Sequence, residues 1–237
     1  MDPTDIWPRP ARPVEPEPSR WVLPTAAPDA DSDMVAVGAD LEPGTVLSAY
    51  RNALFPMPIK RGRIGWFSPE PRGILPLGEL RISRSLRRSM RRYTVSFDRC
   101  FAEVMANCGD SRRPSGWIDQ SMIDAYTRLH RMGWAHSVEV WDEDRLVGGL
   151  YGIRINGFFA GESMFHHAVD GSKVALVHLV DWLNGTGARL LDVQWTTDHL
   201  ASLGAMDVSR QHYLGLLKAA IDEPTRQNDN ERSGEGD

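Results

Sequence analysis

Between residues 135 and 164 the chain offers three strand-like segments in immediate succession, 135–141, 145–155 and 158–164, with no space for a helix between them. The acidic turn Asp142-Glu143-Asp144 joins the first two and Asn156-Gly157 joins the last two. Asn-Gly between apolar runs signals a two-residue hairpin. An antiparallel meander is therefore the one arrangement open to this stretch. An apolar helix capped by Ser172 and running to about Asn184 follows, then a strand over 190–195.

The flanking sequence fills in the class. Leu41-Glu42-Pro43-Gly44-Thr45 opens a short helix over 46–51, which Pro56 and Pro58 end. The stretch 65–73, punctuated by proline and glycine, joins a small N-terminal domain to a larger one. Ser83 begins an arginine-rich helix, 93–97 alternates as a strand does, and helices are expected over 101–107 and 118–132. The expected class is α+β: a small N-terminal α/β domain, 34–70, and a larger domain, 71–220, with a mixed, mostly antiparallel sheet flanked by helices. That order of elements resembles the fold of the N-acetyltransferase superfamily. Residues 1–33, rich in Pro, Asp and Ala, read as a poorly ordered arm with Trp21-Val22-Leu23 as an anchor, and 221–237 as an acidic disordered tail.

A chain of 237 residues, 41% hydrophobic, can bury one medium core and a smaller one. It has no apolar run of ~18 residues and no basic-then-apolar N-terminus, so a soluble, cytoplasmic protein is expected. Cys100 and Cys108 lack metal or redox spacing and read as reduced structural thiols. The net charge of −5 hides an asymmetry. Of 27 bases and 32 acids the two acidic ends (1–42 and 221–237) take five and fifteen, which leaves 22 bases against 17 acids in residues 43–220. Six arginines, Arg81, Arg84, Arg87, Arg88, Arg91 and Arg92, crowd twelve residues with no acid among them. Such a patch suits phosphates, or is simply a solvated helix face.

Two stretches place polar groups inside apolar strand sequence: Gly161-Glu162-Ser163-Met164-Phe165 and Leu191-Asp192-Val193-Gln194. Burying an unpaired polar group costs several kcal/mol, on the order of 2–7, so these positions mark a site or a satisfied structural pair. An acetyl-CoA user would carry a glycine-rich pyrophosphate loop ahead of the next helix. Here that helix opens His166-His167-Ala168-Val169-Asp170-Gly171-Ser172-Lys173, which lacks the loop.

Several motifs occur in one order: Trp66-Phe67-Ser68-Pro69-Glu70-Pro71-Arg72, Ile82-Ser83-Arg84-Ser85-Leu86-Arg87-Arg88, Gly116-Trp117-Ile118, Ala135-His136-Ser137-Val138-Glu139-Val140-Trp141, Leu146-Val147-Gly148-Gly149-Leu150-Tyr151-Gly152, Gly161-Glu162-Ser163-Met164-Phe165, Asp192-Val193-Gln194 and His199-Leu200-Ala201-Ser202-Leu203-Gly204-Ala205. Over about residues 34–217 the chain resembles the bacterial leucyl/phenylalanyl-tRNA–protein transferases. The resemblance implies a cytoplasmic aminoacyltransferase that moves Leu or Phe, with Met a further donor, from aminoacyl-tRNA to N-terminal Arg or Lys of proteins, marking them for degradation. It implies no cofactor and no metal, because the ester already stores the energy.

The same resemblance assigns residues. Asp192 and Gln194 match the proposed catalytic pair; two apart on a strand, they would share a face, Asp192 as proton acceptor or orienter and Gln194 as its positioning partner. A structural carboxylate is the alternative for Asp192. Glu162 is expected to bind the acceptor end, or else to form a structural ion pair with Lys173 or an arginine. Leu150, Phe159, Leu176, Leu179, Leu183 and Leu191 are expected around the aminoacyl side chain, each also readable as plain core. Trp117 and Tyr50 are expected near the tRNA 3′ end, with Arg81, Arg84, Arg87 and Arg88 on its phosphates. The chain departs from the family pattern in three places: Phe55-Pro56-Met57 stands where Phe-Pro-Trp is usual, Ala39 and Ala53 stand where glycine is common, and the tail is short and acidic. Two other readings remain for the sequence, a CoA-dependent N-acetyltransferase and a non-catalytic tRNA-binding protein.

Overall fold

The computed structural model describes residues 12–25, 32–59, 62–110 and 118–222. A small antiparallel sheet comes first, built from β1 (Met34–Val37), β2 (Phe55–Ile59) and β3 (Arg63–Phe67) in the order β1-β3-β2, with helix α1 (Pro43–Arg51) between β1 and β2. Pro56 and Pro58 do end the helix, and they also sit inside β2. That is possible because β2 is an edge strand: prolines two apart turn their missing N–H groups to the same unpaired side. Trp66 is fully buried on Leu54 and Ala49, its indole N–H donating to the Gly38 carbonyl at 2.8 Å. Ala39 and Ala53 have φ of +62° and +63°. This is the conformation in which glycine is at ease and alanine costs about 1 kcal/mol.

Residues 12–25 of the arm are an extended strap with definite partners. Val14 exchanges hydrogen bonds with the Met132 carbonyl and the Trp134 indole, Glu15 takes a bidentate pair from Arg51 at 2.7 and 3.0 Å, and Asp40 accepts from both Arg20 and Trp21. Low apolar content had pointed to poor order; for this stretch polar and backbone contacts, not a hydrophobic stripe, provide the attachment.

The larger sheet has the order β10-β4-β9-β8-β7-β6-β5. Its strands are β4 (Arg72–Ile74), β5 (Thr94–Phe97), β6 (Ala135–Asp142), β7 (Arg145–Ile155), β8 (Phe158–His166), β9 (Leu190–Gln194) and β10 (Met206–Val208). The meander runs through β5 to β8 as expected, all antiparallel. Helix α5 (Gly171–Gly185) then crosses over, so that β9 lies parallel to β8. Helices α3 (Phe101–Cys108), α4 (Gln120–Arg131) and α7 (Arg210–Asp222) cover one face together with α1; α5 covers the other, with α2 (Arg84–Met90) against it and α6 (Asp198–Ser202) after β9. The class is the expected α+β.

Local differences have local causes. Helix α5 begins at Gly171, capped by Asp170 at φ +64°, and Ser172 is already inside it. A Cβ on Gly171 would stand 2.7 Å from the Val147 carbonyl, so the chain can turn from β8 into α5 only by passing a glycine over β7. Ser83 does cap α2, accepting from the Leu86 N–H. Cys100 and Cys108 lie at the two ends of α3, and neither is in a disulfide. Among the described residues no helix is long and apolar enough to cross a membrane.

One buried charge lacks compensation. Arg154 of β7 is 7% exposed; its Nε donates to the Asn156 carbonyl and its guanidinium lies 4.5 Å from the Trp182 ring, but neither terminal nitrogen has a partner among the described residues. Burial pulls the Arg154 guanidinium down to about 10. Because the folded chain holds this proton less tightly than the unfolded one, the penalty is complete below about pH 10 and fades as the pH rises towards the ordinary arginine range. Arg154→Met is expected to raise the unfolding free energy at neutral pH by about 1–3 kcal/mol in urea denaturation, with the gain shrinking above pH 10.

Candidate functional site

The parallel pairing of β8 with β9 is short. It runs Phe158↔Leu190, Phe159↔Leu191 and Ala160↔Asp192 and ends there, while β8 continues to His166 on its β7 side alone. At the end of β9 the backbone turns: Gln194 adopts φ +60° and the Trp195 N–H folds back to the Val193 carbonyl. The two strands therefore part, and a cavity of about 280 Å³ opens in the gap.

Its walls are apolar. Leu150, Leu176, Leu179 and Leu191, four of the six pocket residues expected from the sequence, line it. Phe159 and Leu183 are fully buried behind that layer; Phe159 packs edge-on to Trp182, and neither reaches the cavity. Met164, Val193 and Leu200 complete the wall. Alternation gave a signal for two of them, because Val193 follows Leu191 by two residues and Met164 lies directly across from Leu150.

Glu162 and Gln194 are among its polar lining residues, joined by Gln194 Nε2 donating to Glu162 Oε1 at 3.3 Å, and the exposed Thr197 and His199 also border it. Tyr126 donates to the other Glu162 oxygen at 3.3 Å. Burial, with the negative charge of Asp192 adding to it, pushes the Glu162 carboxyl up to about 8, against the opposing pull of the Tyr50 and Tyr126 hydroxyls and the Arg72 guanidinium. Lys173 pairs with Asp170 instead, and among the described residues no arginine forms an ion pair with Glu162.

Asp192 is fully buried and is absent from the cavity lining. Arg72 grips it bidentately, Nε to Oδ1 at 2.9 Å and Nη2 to Oδ2 at 2.6 Å; the Gln194 backbone N–H adds a bond to Oδ1 and the Tyr213 hydroxyl one to Oδ2, both 2.9 Å. Each oxygen thus accepts two donors. Burial would pull the Arg72 proton affinity down, and the Asp192 carboxylate more than offsets it, so Arg72 stays charged. Asp192 and Gln194 do not share a free face; Asp192 holds the backbone turn that aims the Gln194 amide at Glu162.

Of the residues expected near tRNA, Tyr50 is 1% exposed with its hydroxyl 2.5 Å from that of Tyr126, which leaves no ring face for a base. Trp117 lies outside the described residues. Arg81, Arg84, Arg87, Arg88, Arg91 and Arg92 are all exposed. Arg92 pairs with Asp142, and among the described residues Arg84, Arg87, Arg88 and Arg91 meet no carboxylate. Helix α2 leads to the cavity: Ser89 donates to Asp170, Asp170 pairs with Lys173, and Lys173 with His166 stands close enough to His199, on the cavity rim, to reinforce burial in pulling its proton affinity down. Two other features were missed. Trp195 is 39% exposed beside Gln194 and packs against Phe55 and Phe67, and Tyr126 stands behind Glu162. Among the described residues no cluster of three or more His, Cys, Asp and Glu side chains is placed to hold a metal ion.

An apolar slot with a few polar groups in its lining has the character of a small-molecule or side-chain pocket. Residues 74–218 match the leucyl/phenylalanyl-tRNA protein transferase family, and residues 39–70 match that family's N-terminal domain. A leucyl/phenylalanyl-tRNA–protein transferase of Syntrophobacter fumaroxidans is 50% identical over 80% of this chain and 83% of its own, and one of Anaeromyxobacter dehalogenans is 44% identical over 91% of each. The chain belongs to the leucyl/phenylalanyl-tRNA–protein transferase family. Among solved structures, a GCN5-related N-acetyltransferase of Kribbella flavida aligns with a TM-score of 0.36 at 11% identity, covering 70% of this chain and 60% of its own; so low a score adds nothing to the assignment.

The buried ion pair can be tested by a double-mutant cycle. Arg72→Met alone should lower stability by about 3–5 kcal/mol, since it leaves a carboxylate buried without its partner, while Arg72→Met with Asp192→Leu should recover most of that loss in urea denaturation.

Proposed function

We propose that this chain transfers leucine or phenylalanine from aminoacyl-tRNA to the α-amino group of proteins that begin with arginine or lysine. The observation that carries the reading is the mostly apolar cavity whose lining includes the linked Glu162 and Gln194 side chains. The aminoacyl side chain would occupy the slot between Leu150, Leu176, Leu179 and Leu191, with its ester beside Glu162 and Gln194. The exposed arginines of α2 supply positive charge along the approach, where phosphates of the tRNA end would be held. The division into a small unit, 34–70, and a catalytic unit, 71–220, belongs to the same reading, as does the role of such tagging in protein degradation.

Glu162 then acts on the acceptor. An α-ammonium group titrates near 7.7–8.0 in reference compounds, close to the value of about 8 that burial sets for Glu162, so proton transfer between them is nearly balanced. Glu162 takes one proton from the ammonium. The freed lone pair attacks the ester carbonyl, a C–N bond forms, and the C–O bond to the terminal ribose breaks. The nitrogen's surplus proton passes to the departing ribose oxygen, leaving a hydroxyl on the tRNA, and Glu162 returns its proton to solvent. Gln194 orients the reacting carboxylate and neighbouring carbonyl, and the buried Arg72–Asp192 pair holds Gln194 in place. Much of the rate enhancement comes from positioning, because the ester is already activated.

The decisive measurement offers tRNA charged with labelled Leu, Phe, Met or Arg to peptides beginning with Arg, Lys, Asp or Ala. Transfer of Leu and Phe onto Arg and Lys peptides is expected; transfer onto Asp peptides would redirect the acceptor assignment. Salt-sensitive tRNA binding without any transfer would leave a binding protein, and saturable acetyl-CoA turnover an acetyltransferase. Leu179→Ala, which enlarges the slot, is expected to shift the Phe-to-Leu ratio of kcat/KM by about 10-fold towards Phe, since a methylene in such a pocket is worth about 1–3 kcal/mol.

A further inference from the structure

A line of buried hydroxyls stands behind Glu162 that the transfer step as described does not use. Tyr50 of α1 and Tyr126 of α4 are 1% and 0% exposed, and their hydroxyl oxygens are 2.5 Å apart. Tyr126 reaches on to Glu162 Oε2 at 3.3 Å. A hydroxyl has one proton to give, so when Tyr126 donates to the carboxylate, Tyr50 must donate to Tyr126. The line then has a single direction, with every proton pointing at Glu162, and it terminates best on a negative oxygen.

The remaining surroundings of Glu162 divide by sign. Arg72 from β4 favours its charge. Asp192 from β9 opposes it, while Gln194 from the same strand donates to Oε1. Tyr151 from β7, whose buried hydroxyl has no partner among the described residues, stands near enough to feel the Glu162 charge. Its ring meets that of Tyr126 edge-on at 5.7 Å. Of the neutral groups around the carboxylate, the Tyr126 hydroxyl and the Gln194 amide donate to it at 3.3 Å, and the Tyr50 hydroxyl, which backs Tyr126, also stands close enough to favour its charged form.

We propose that Tyr126, backed by Tyr50, is a positioning residue for aminoacyl transfer: its hydroxyl holds the Glu162 carboxylate turned to the cavity in the ionised form that accepts the acceptor's proton. This rests on the transferase reading and on Glu162 as proton acceptor. It also assigns the small N-terminal unit a part in the chemistry, through Tyr50. Removing either hydroxyl removes stabilisation of the charged carboxylate and leaves the apolar slot and the arginines of α2 untouched.

The test uses the full chain and the variants Tyr126→Phe, Tyr50→Phe and Glu162→Gln. Initial transfer rates at saturating Leu-tRNA and Arg-initiated peptide are followed from about pH 6 to about pH 9.5, where the acid limb reports the carboxylate. Tyr126→Phe should move that limb up by about one unit, so that the rate is about tenfold below the parent at pH 7 and within about twofold of it at pH 9. KM for Leu-tRNA should stay within about twofold, as expected when no binding contact is lost. Tyr50→Phe should move the limb the same way. Infrared difference spectra of parent against Glu162→Gln isolate the protonated-carboxyl band of Glu162, and its titration should shift upward in Tyr126→Phe. A loss of rate by the same factor at every pH, or an infrared titration that does not move, would overturn the proposal. A parent chain that transfers nothing would remove the transferase reading instead, and the infrared titration would still decide whether Tyr126 governs Glu162.

Discussion

Asp192 and Arg72 form a bidentate ion pair with no solvent contact, and the geometry of the site hangs on it. A buried pair of this kind is tolerable only when both partners are fully hydrogen-bonded, and here they are. Tyr213 of α7 completes one carboxylate oxygen, the Gln194 N–H completes the other, and the Ala53 carbonyl takes Arg72 Nη1 at 3.2 Å. Four separate pieces of chain, the turn before β2, strand β4, strand β9 and helix α7, therefore meet at one charge pair. The guanidinium also lies over the Phe55 and Tyr213 rings at 4.9 and 4.4 Å, which shields it further from water.

What the pair holds is the turn at Gln194. With its N–H bound to Asp192 and its φ at +60°, Gln194 ends the parallel pairing that Ala160 and Asp192 mark, and the gap between β8 and β9 follows. Gly152 of β7, at the bulge opposite, lets the backbone of β8 approach so closely that any Cβ there would collide with the Ala160 carbonyl. The result is a sheet whose two faces do different work at the same level. One face presents leucines to the cavity beneath α5, and the other gathers Tyr50, Tyr126 and Tyr151 beneath the helices. Glu162 lies where the faces meet, which explains how one carboxylate can be half-buried, hydrogen-bonded from behind and still open on the cavity.

Much of the fold was legible because its signals are local. Alternation and the Asn156-Gly157 turn announced the meander, Ser83 announced α2, and the arginine density of that helix could be counted directly. The short strands β4 and β10 were not legible: three residues give no alternation to read, and each is a strand only by its pairing, β4 on the far side of β9 and β10 on β4. Pro56 and Pro58 concealed β2, since edge position is a property of the sheet and not of the segment. In the site, Asp192, Gln194, Glu162 and four of the leucines came from motif and pattern, whereas Tyr50 looked like a tRNA contact and lies in the interior.

By itself the sequence determined the α+β class, the order of the meander, helix and strand, the cationic helix and the polar interruptions of two apolar strands, because each is written in residues less than about twenty apart. The tertiary structure alone decided which carboxylate faces the cavity. Arg72 and Asp192 are 120 residues apart, Tyr50 and Tyr126 are 76 apart, and Tyr126 and Glu162 are 36 apart. The proton affinity of a carboxylate depends on burial and on the charges and donors within a few ångströms, and those neighbours exist only once the chain has closed on itself.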